Sequence, residues 1–349
     1  MWWWPLACVT PEPPSCLEAG EPHLVVTTTD LETGALAASS LDGSCVEDRL
    51  ATLSGDPLVR AHGDRVIAAD RTGGDAIRVF EAGAYGAPVA EFSVGRAVNV
   101  HDVARDGDSW VVAPYDTDAI VVTDRDGTET GRVPLAALAD ADGIPEVDRL
   151  VRLDGVLHAT LQLLDRSDGS YRPTGPGLLV PLDLDALDAG APIALGPNPK
   201  VLADPLDPSA VTVATGRFYE PDGEVGTWDG AWHALVDEVT LGFDATHVLP
   251  VGDGVVVVGV DLDVGGPSHV VCLAADGTLL RTTDPGFLVD ALTDGRRVWL
   301  ADRVSWNGGG AGAVLELDPA TCALTVLTDA FSLDPYGLAL VATDGGAGG

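Results

Sequence analysis

Asp64 to Ala82 reads DRVIAADRTGGDAIRVFEA, and Arg296 to Asp318 reads RRVWLADRVSWNGGGAGAVLELD. Each stretch holds a basic residue, an apolar run, Ala-Asp-Arg, a Gly-rich loop and a second apolar run. The same order recurs in SWVVAPYDTDAIVVTDRDG from Ser109, in VLHATLQLLD from Val156 with GLLVPLDLD from Gly177, and in VVVVGVDLDVGGPSHVVCLAADG from Val255. Weaker copies start at His23 (HLVVTTTDLETGALAASSLDG) and at Ala210 (AVTVATGRFYE, then AWHALVD from Ala231). A spacing of roughly 40 to 55 residues is the period of propeller blades.

Most copies are preceded by a strand ending in a turn, such as VARDGD, LVRLDG, VLPVGDG or ALTDGR. Most are followed by a fourth strand, such as APVAEF, TGRVPL, TLLRTT or ALTVLT. A four-stranded sheet of this kind cannot bury both faces alone and stacks radially on its neighbours. About seven repeats therefore predict an all-β, seven-bladed β-propeller with four antiparallel strands per blade. A pair of β-sandwiches would also give short alternating strands, but not one repeating order of four. The first copy lacks an innermost strand, and an unpartnered one remains at YGLALVATDG from Tyr336. That C-terminal strand is expected to complete the N-terminal blade, closing the ring and removing its free edges.

On phrases such as RVIAADRTGGDAIRVF (Arg65 to Phe80) the chain resembles the NHL-repeat, YncE-like and lactonase-like propeller superfamily. The resemblance runs over nearly all of residues 22–349, but these motifs specify blade packing and leave function open.

The composition agrees with short strands and turns. The 349 residues are 46% hydrophobic, with Gly 42 and Pro 24 against Met 1, and convincing amphipathic helices are almost absent. The formal charge of -35 comes from 54 Asp+Glu against 19 Lys+Arg. Such a field repels nucleic acid and anionic membrane surfaces. The only lysine is Lys200.

Residues 1–21 read as a truncated signal with a lipobox and a Pro-rich tether. Leu6-Ala7-Cys8 approximates a lipobox, with Cys8 as the lipidation site, although Pro5 is unusual there and no basic n-region precedes it. No later stretch approaches the ~18 consecutive apolar residues of a transmembrane helix. The remaining cysteines, Cys16, Cys45, Cys272 and Cys322, show no C-x-x-C pair. Four cysteines suit two disulfides in an oxidising compartment, with three pairings open. Cys45 and Cys322 hold the same position in the first and last copies, and equivalent turns of adjacent blades lie beyond the ~4.4–6.8 Å reach of a disulfide. Cys16 with Cys45 is therefore expected, and Cys272 with Cys322 if the outer strands permit it.

Four-stranded antiparallel blades place the loop between second and third strands at the same end of the ring as the blade-to-blade linkers. Those loops grow at Arg166 to Pro176, Tyr219 to Gly230 and Ser305 to Gly310, and carry the aromatics Tyr171, Tyr219, Trp228 and Trp306. Innermost strands line the channel, and their starts place Asn99, His101, Asp102, Glu146, Asp148, Asp244, His247, Asp290 and Tyr336 at its mouth. Such a set suits hydrated polar lining, a Ca²⁺ site or a general base. In propeller lactonases, the resemblance implies, Glu and Asn at the mouth hold a divalent metal. Here the candidates are Asn99, Glu146 and Asp244, and the fuller Glu/Asn set is missing.

No P-loop, G-x-S-x-G or H-E-x-x-H is present. The sequence therefore favours an exported, periplasmic or secreted non-catalytic binding module or scaffold, monomeric, taking a protein or cell-surface ligand on one face. No cofactor is expected, or Ca²⁺ alone. The alternative is a Ca-type lactonase- or esterase-like hydrolase with its site at the channel mouth.

Overall fold

Side chains alternate across a β-strand, so a strand that faces water on one side is polar at every second position. His23–Thr29 is instead buried at every position. Leu24 and Val26 pack against Trp299, Ala301 and Val314, while Val25 packs on the opposite side against Val59, Val66 and Phe80. The strand is thus clamped between one sheet that follows it and another almost 300 residues further on. The computed structural model, which describes residues 15–17, 20–167, 169–282 and 285–342, repeats this arrangement around a ring of seven sheets.

Blade 2 runs from the axis outward as Pro57–His62, Arg65–Asp70, Ile77–Glu81 and Ala90–Phe92. The innermost strands of the next five blades are Val100–Asp106, Val147–Leu153, Lys200–Ala203, Asp244–Val251 and Leu288–Thr293. Blade 1 consists of His23–Thr29, Thr33–Ser40 and Val46–Ser54, and its innermost strand is the C-terminal Asp334–Val341. Those two ends of the chain pair antiparallel, with His23 opposite Val341 and Thr29 opposite Asp334. The expected closure is present. The core lies between blades: one cluster joins blades 2 and 3 through Ile67, Ile77, Val103 and Trp110, another joins blades 6 and 7 through Val256, Val270, Val298 and Leu300.

Two blades depart from the sequence reading. In blade 4 the outer strand is broken into Asp188–Ala189 and Ile193–Ala194, and the loop before its third strand carries a small ribbon, Leu164–Asp165 with Arg172–Pro173. In blade 5 the third strand is Glu224–Trp228, a stretch read as loop, and AWHALVD is the outer strand. Two glycines around Glu224 suggest a turn. At Gly226, however, a Cβ would stand 2.5 Å from the Trp232 ring, so the glycine makes room for an indole crossing from the next strand. The sole helix among the described residues is Glu238–Leu241, capped by Asp237 and Gly242.

Disulfides join Cys16 to Cys45 and Cys272 to Cys322, each with Cα atoms 5.8 Å apart. The second ties the third strand of blade 6 to the turn before the outer strand of blade 7. Closing loops with separations of 29 and 50 residues stabilises by about 3–4 kcal/mol each in the chain-entropy treatment. Cys8 lies outside the described residues.

Removing residues from Asp334 onward takes Leu338 out of one inter-blade cluster and Ala339 and Val341 out of another. At roughly 1.5–3 kcal/mol per large side chain, and with two new edges, that loss consumes much of a net stability of ~5–15 kcal/mol. The truncated protein is expected to lose its cooperative melt. An unchanged thermal midpoint would refute the closure. Peptide mapping without reductant is expected to recover Cys16–Cys45 and Cys272–Cys322, and a Cys45–Cys322 peptide would contradict the pairing.

Candidate functional site

Inner strands begin where second strands end, so one rim collects the linkers, the loops between second and third strands and the channel mouth. Beneath that rim lies a cavity of about 530 Å³ on the ring axis. Five of the expected mouth residues line it: His101, Asp148, His247, Asp290 and Tyr336. They come from inner strands in four different blades or from the closing strand.

Asn99, Asp102, Glu146 and Asp244 are not in the lining. Asp102 sits behind it, with Oδ1 2.6 Å from Arg60 Nε and Oδ2 accepting the Leu150 N–H of the next blade at 2.8 Å. Asp290, itself in the lining, repeats this stitch between blades 7 and 1, accepting Ala291 N–H and, across the blade boundary, Leu338 N–H at 2.8 Å. Glu146 is fully buried, accepts Leu164 N–H and lies 3.1 Å from Arg166 Nε. Asp244, also fully buried, accepts from Lys200 Nζ at 3.0 Å and from Tyr219 N–H at 3.0 Å. Asn99 adopts φ 52° and offers its backbone carbonyl to Tyr115 N–H, leaving its buried Oδ1 without a partner.

These contacts decide the metal question for the expected set. A divalent ion needs several carboxylate oxygens free to converge, yet Glu146 and Asp244 already face a guanidinium and an ammonium. Asn99, Glu146 and Asp244 do not fit a Ca²⁺ site. Among the described residues, three metal-ligating side chains come together only at Cys16, Cys45 and Glu47, where both sulfurs are in the disulfide. The acidic turns beginning at Asp124 and Asp140 bind their own backbone amides.

Of the four loop aromatics, Trp306 stands at the mouth, 57% exposed and edge-on to Phe287 at 5.7 Å. Tyr171 is exposed on the blade 4 ribbon, away from the lining. Tyr219 is half-buried at φ 62°. Trp228 is a correction: it closes the third strand of blade 5 opposite Val211, at the other end of the ring, and packs into the cluster between blades 4 and 5.

The residues missing from the sequence reading are mostly basic. Arg60, Arg71, Arg149, Lys200 and Arg303 all line the cavity. Arg71 and Arg303 are the arginines of the two Ala-Asp-Arg copies. In four of the seven blades the residue after the second strand lines the mouth: Arg71 and Arg303 in blades 2 and 7, and Tyr115 and Gln162 in blades 3 and 4, the last two joined by a 2.7 Å hydrogen bond. The repeat thus contained the signal.

His101 stacks on Tyr115 at 3.8 Å and touches Asp148 through Nδ1 at 3.1 Å and Arg71 Nη2 through Nε2 at 3.3 Å. A guanidinium only donates, so Nε2 accepts and the proton resides on Nδ1. Burial, the largest influence, holds His101 below its ordinary pKa. Burial also raises Tyr115 and pushes Tyr336 up to about 12, and both phenols stay neutral donors. Tyr336 donates to Asp56 at 3.0 Å.

No protein-family model matches the sequence, and neither does a curated protein. Solved structures do. A proposed 6-phosphogluconolactonase from Bacteroides fragilis superposes with a TM-score of 0.64 at 14% identity, over 94% of this chain and 100% of that one. The likeness is one of fold. A hypothetical selenium-binding protein from Sulfolobus tokodaii gives 0.60 at 10% identity over 94% of both chains. AztD from Citrobacter koseri gives 0.52 at 14%, over 92% and 98%. Neighbours with such different names at such low identity show a shared propeller fold and nothing finer.

The buried carboxyls around the rim make stability depend on pH. Burial pushes Glu146 and Glu238 from an ordinary 4.5 up to about 7. The folded protein therefore takes up protons before the unfolded chain does, and stability rises as pH falls from about 8 toward 4.5. Burial holds His62, His101 and His158 below their ordinary 6.5, so these rings oppose the gain as pH falls below about 6.5. The two glutamates are therefore read by difference: from pH 8 to pH 5 the wild-type thermal midpoint is expected to gain a few degrees on that of the double variant Glu146→Gln/Glu238→Gln. Parallel profiles of wild type and variant would contradict the assignment.

Proposed function

We propose that this chain is an exported, non-catalytic binding module, and that its ligand site is the axial funnel at the loop-bearing rim. The observation that carries this is the funnel itself. Its volume of about 530 Å³ falls in the range of small-molecule sites, ~300–1,000 Å³, and its lining combines apolar walls with a few fixed polar groups. Phe218, Phe287, Trp306 and Tyr336 supply rings, and Tyr115 and Gln162 are already locked together.

The hydrolase reading has less behind it, because its metal ligands are spent on Arg166 and Lys200. Export is supported by two disulfides, which persist in oxidising compartments. Attachment through Cys8 rests on the sequence alone. No helix among the described residues is long and apolar enough to cross a membrane.

The test is thermal unfolding against a panel of sugars, lactones, aromatic acids and amides. A ligand at about 100 times its Kd adds ~2.7 kcal/mol. Val289 lines the funnel, so Val289→Trp should abolish the shift, whereas Val326→Trp on the exposed outer strand of blade 7 should not. Recovery of the ligand unchanged after incubation is expected. Turnover of a lactone or ester, lost in Val289→Trp, would replace this reading with the hydrolase.

A further inference from the structure

The funnel concentrates positive charge in a chain of formal charge -35. Arg60 is neutralised by Asp102, Lys200 by Asp244, and Arg71 lies 3.6 Å from Asp56. Arg303 differs. It is 3% exposed and lines the cavity, and its Nε and Nη2 are buried without a hydrogen-bond partner. No carboxylate among the described residues stands within the 4.0 Å of an ion pair. Every other arginine in that position is exposed: Arg49, Arg96, Arg172, Arg281 and Arg296.

The neighbouring carboxylates do not relieve it. Asp302 accepts Phe287 N–H and Val304 N–H, and Asp334 turns both oxygens to the amides of Gly309, Gly310 and Gly312. The guanidinium instead lies 5.5 Å over the ring of Tyr336, whose hydroxyl leads through Asp56 to Arg71, so two cations flank one phenol. A buried, unpaired cation is costly. In a chain with 54 acidic residues, leaving one arginine unpaired at the wall of a cavity is a selective arrangement.

We infer that the funnel recognises an oxyanion, a carboxylate or phosphate group held by the unpaired guanidinium of Arg303 beside Tyr336, on a ligand whose apolar body rests against the rim. This deepens the binding reading and depends on it. The Nε–Nη2 edge of a guanidinium is the fork that takes two oxygens of one anion. Above it the rim is apolar, with Leu31, Phe218 and Trp306 exposed at 45%, 42% and 57% while lining the mouth. The bulk acidity of the surface disfavours anions at long range, so recognition is confined to this neutralised axis.

Thermal unfolding in a low-chloride, oxyanion-free buffer tests it, with benzoate, phenyl phosphate and inorganic phosphate as probes and benzamide as the neutral counterpart of benzoate. A saturable rise with benzoate or phenyl phosphate is expected, and little with benzamide. The two anionic arms identify which oxyanion is preferred. Arg303→Met keeps the side-chain length without the charge. It should melt at or above the wild-type temperature without anion, and bind the preferred anion at least about tenfold more weakly.

A lower anion-free midpoint in Arg303→Met, wild-type anion affinity in it, or an equal effect of chloride would each overturn the inference. If that variant does not fold, Arg303→Lys decides: it keeps the charge and loses the fork, so carboxylate binding about tenfold weaker supports the inference and unchanged binding overturns it. Equal protection by benzamide and benzoate, sensitive to Val289→Trp, would sink the oxyanion and leave the funnel site standing. No probe separating wild type from Val289→Trp would sink both.

Discussion

Every blade of this protein is apolar on both sides, and that requirement governs the rest. A sheet wet on one face can end a domain, but a sheet such as blade 1, with Leu24 and Val26 on one side and Val25 on the other, must have two neighbours. Seven such sheets satisfy one another only as a closed circle, and the circle then determines which residues meet at its axis. His101, Lys200 and Arg303 are far apart in sequence because adjacency here is set by blade order.

The acidic excess has a structural use at the rim. Linkers and inter-strand loops carry amides that no ladder satisfies, and buried amides need acceptors. Asp334 serves three glycines, Glu238 takes Gly223 and Ala245, and Asp102 and Asp290 each reach into the next blade. Charge-assisted hydrogen bonds of this kind are short and strong. They also consume the oxygens that a cation would need, so that of the expected carboxylates only Asp148 and Asp290, each beside a histidine, reach the cavity among arginine, histidine and aromatic side chains.

The ring, its closing strand and both disulfides were legible because they follow from repeat order and chain connectivity. The mouth was half legible. Strand starts correctly brought His101, Asp148, His247, Asp290 and Tyr336 to the cavity, since a strand start has one place in the circle. Glu146 and Asp244 could not be told from them, because whether a carboxylate points to the axis or back to Arg166 and Lys200 depends on partners from distant segments. Trp228 was misplaced with its strand: Gly226 reads as a turn until the Trp232 ring it accommodates is known. Arg71 and Arg303 were visible in the Ala-Asp-Arg repeat, yet a conserved phrase within one chain reads first as packing.

The pairing of His23 with Val341 places the two ends of the ring side by side, leaving from the side away from the mouth. Pulling them apart would load that pair one hydrogen bond at a time, the weak mode of a zipper. The bond from Cys16 to Cys45 changes the mechanics. Tension arriving along the N-terminal segment passes through sulfur into the outer edge of blade 1 and bypasses His23. The seam that closes the circle is thereby relieved of load from that direction, at the end of the ring opposite the funnel.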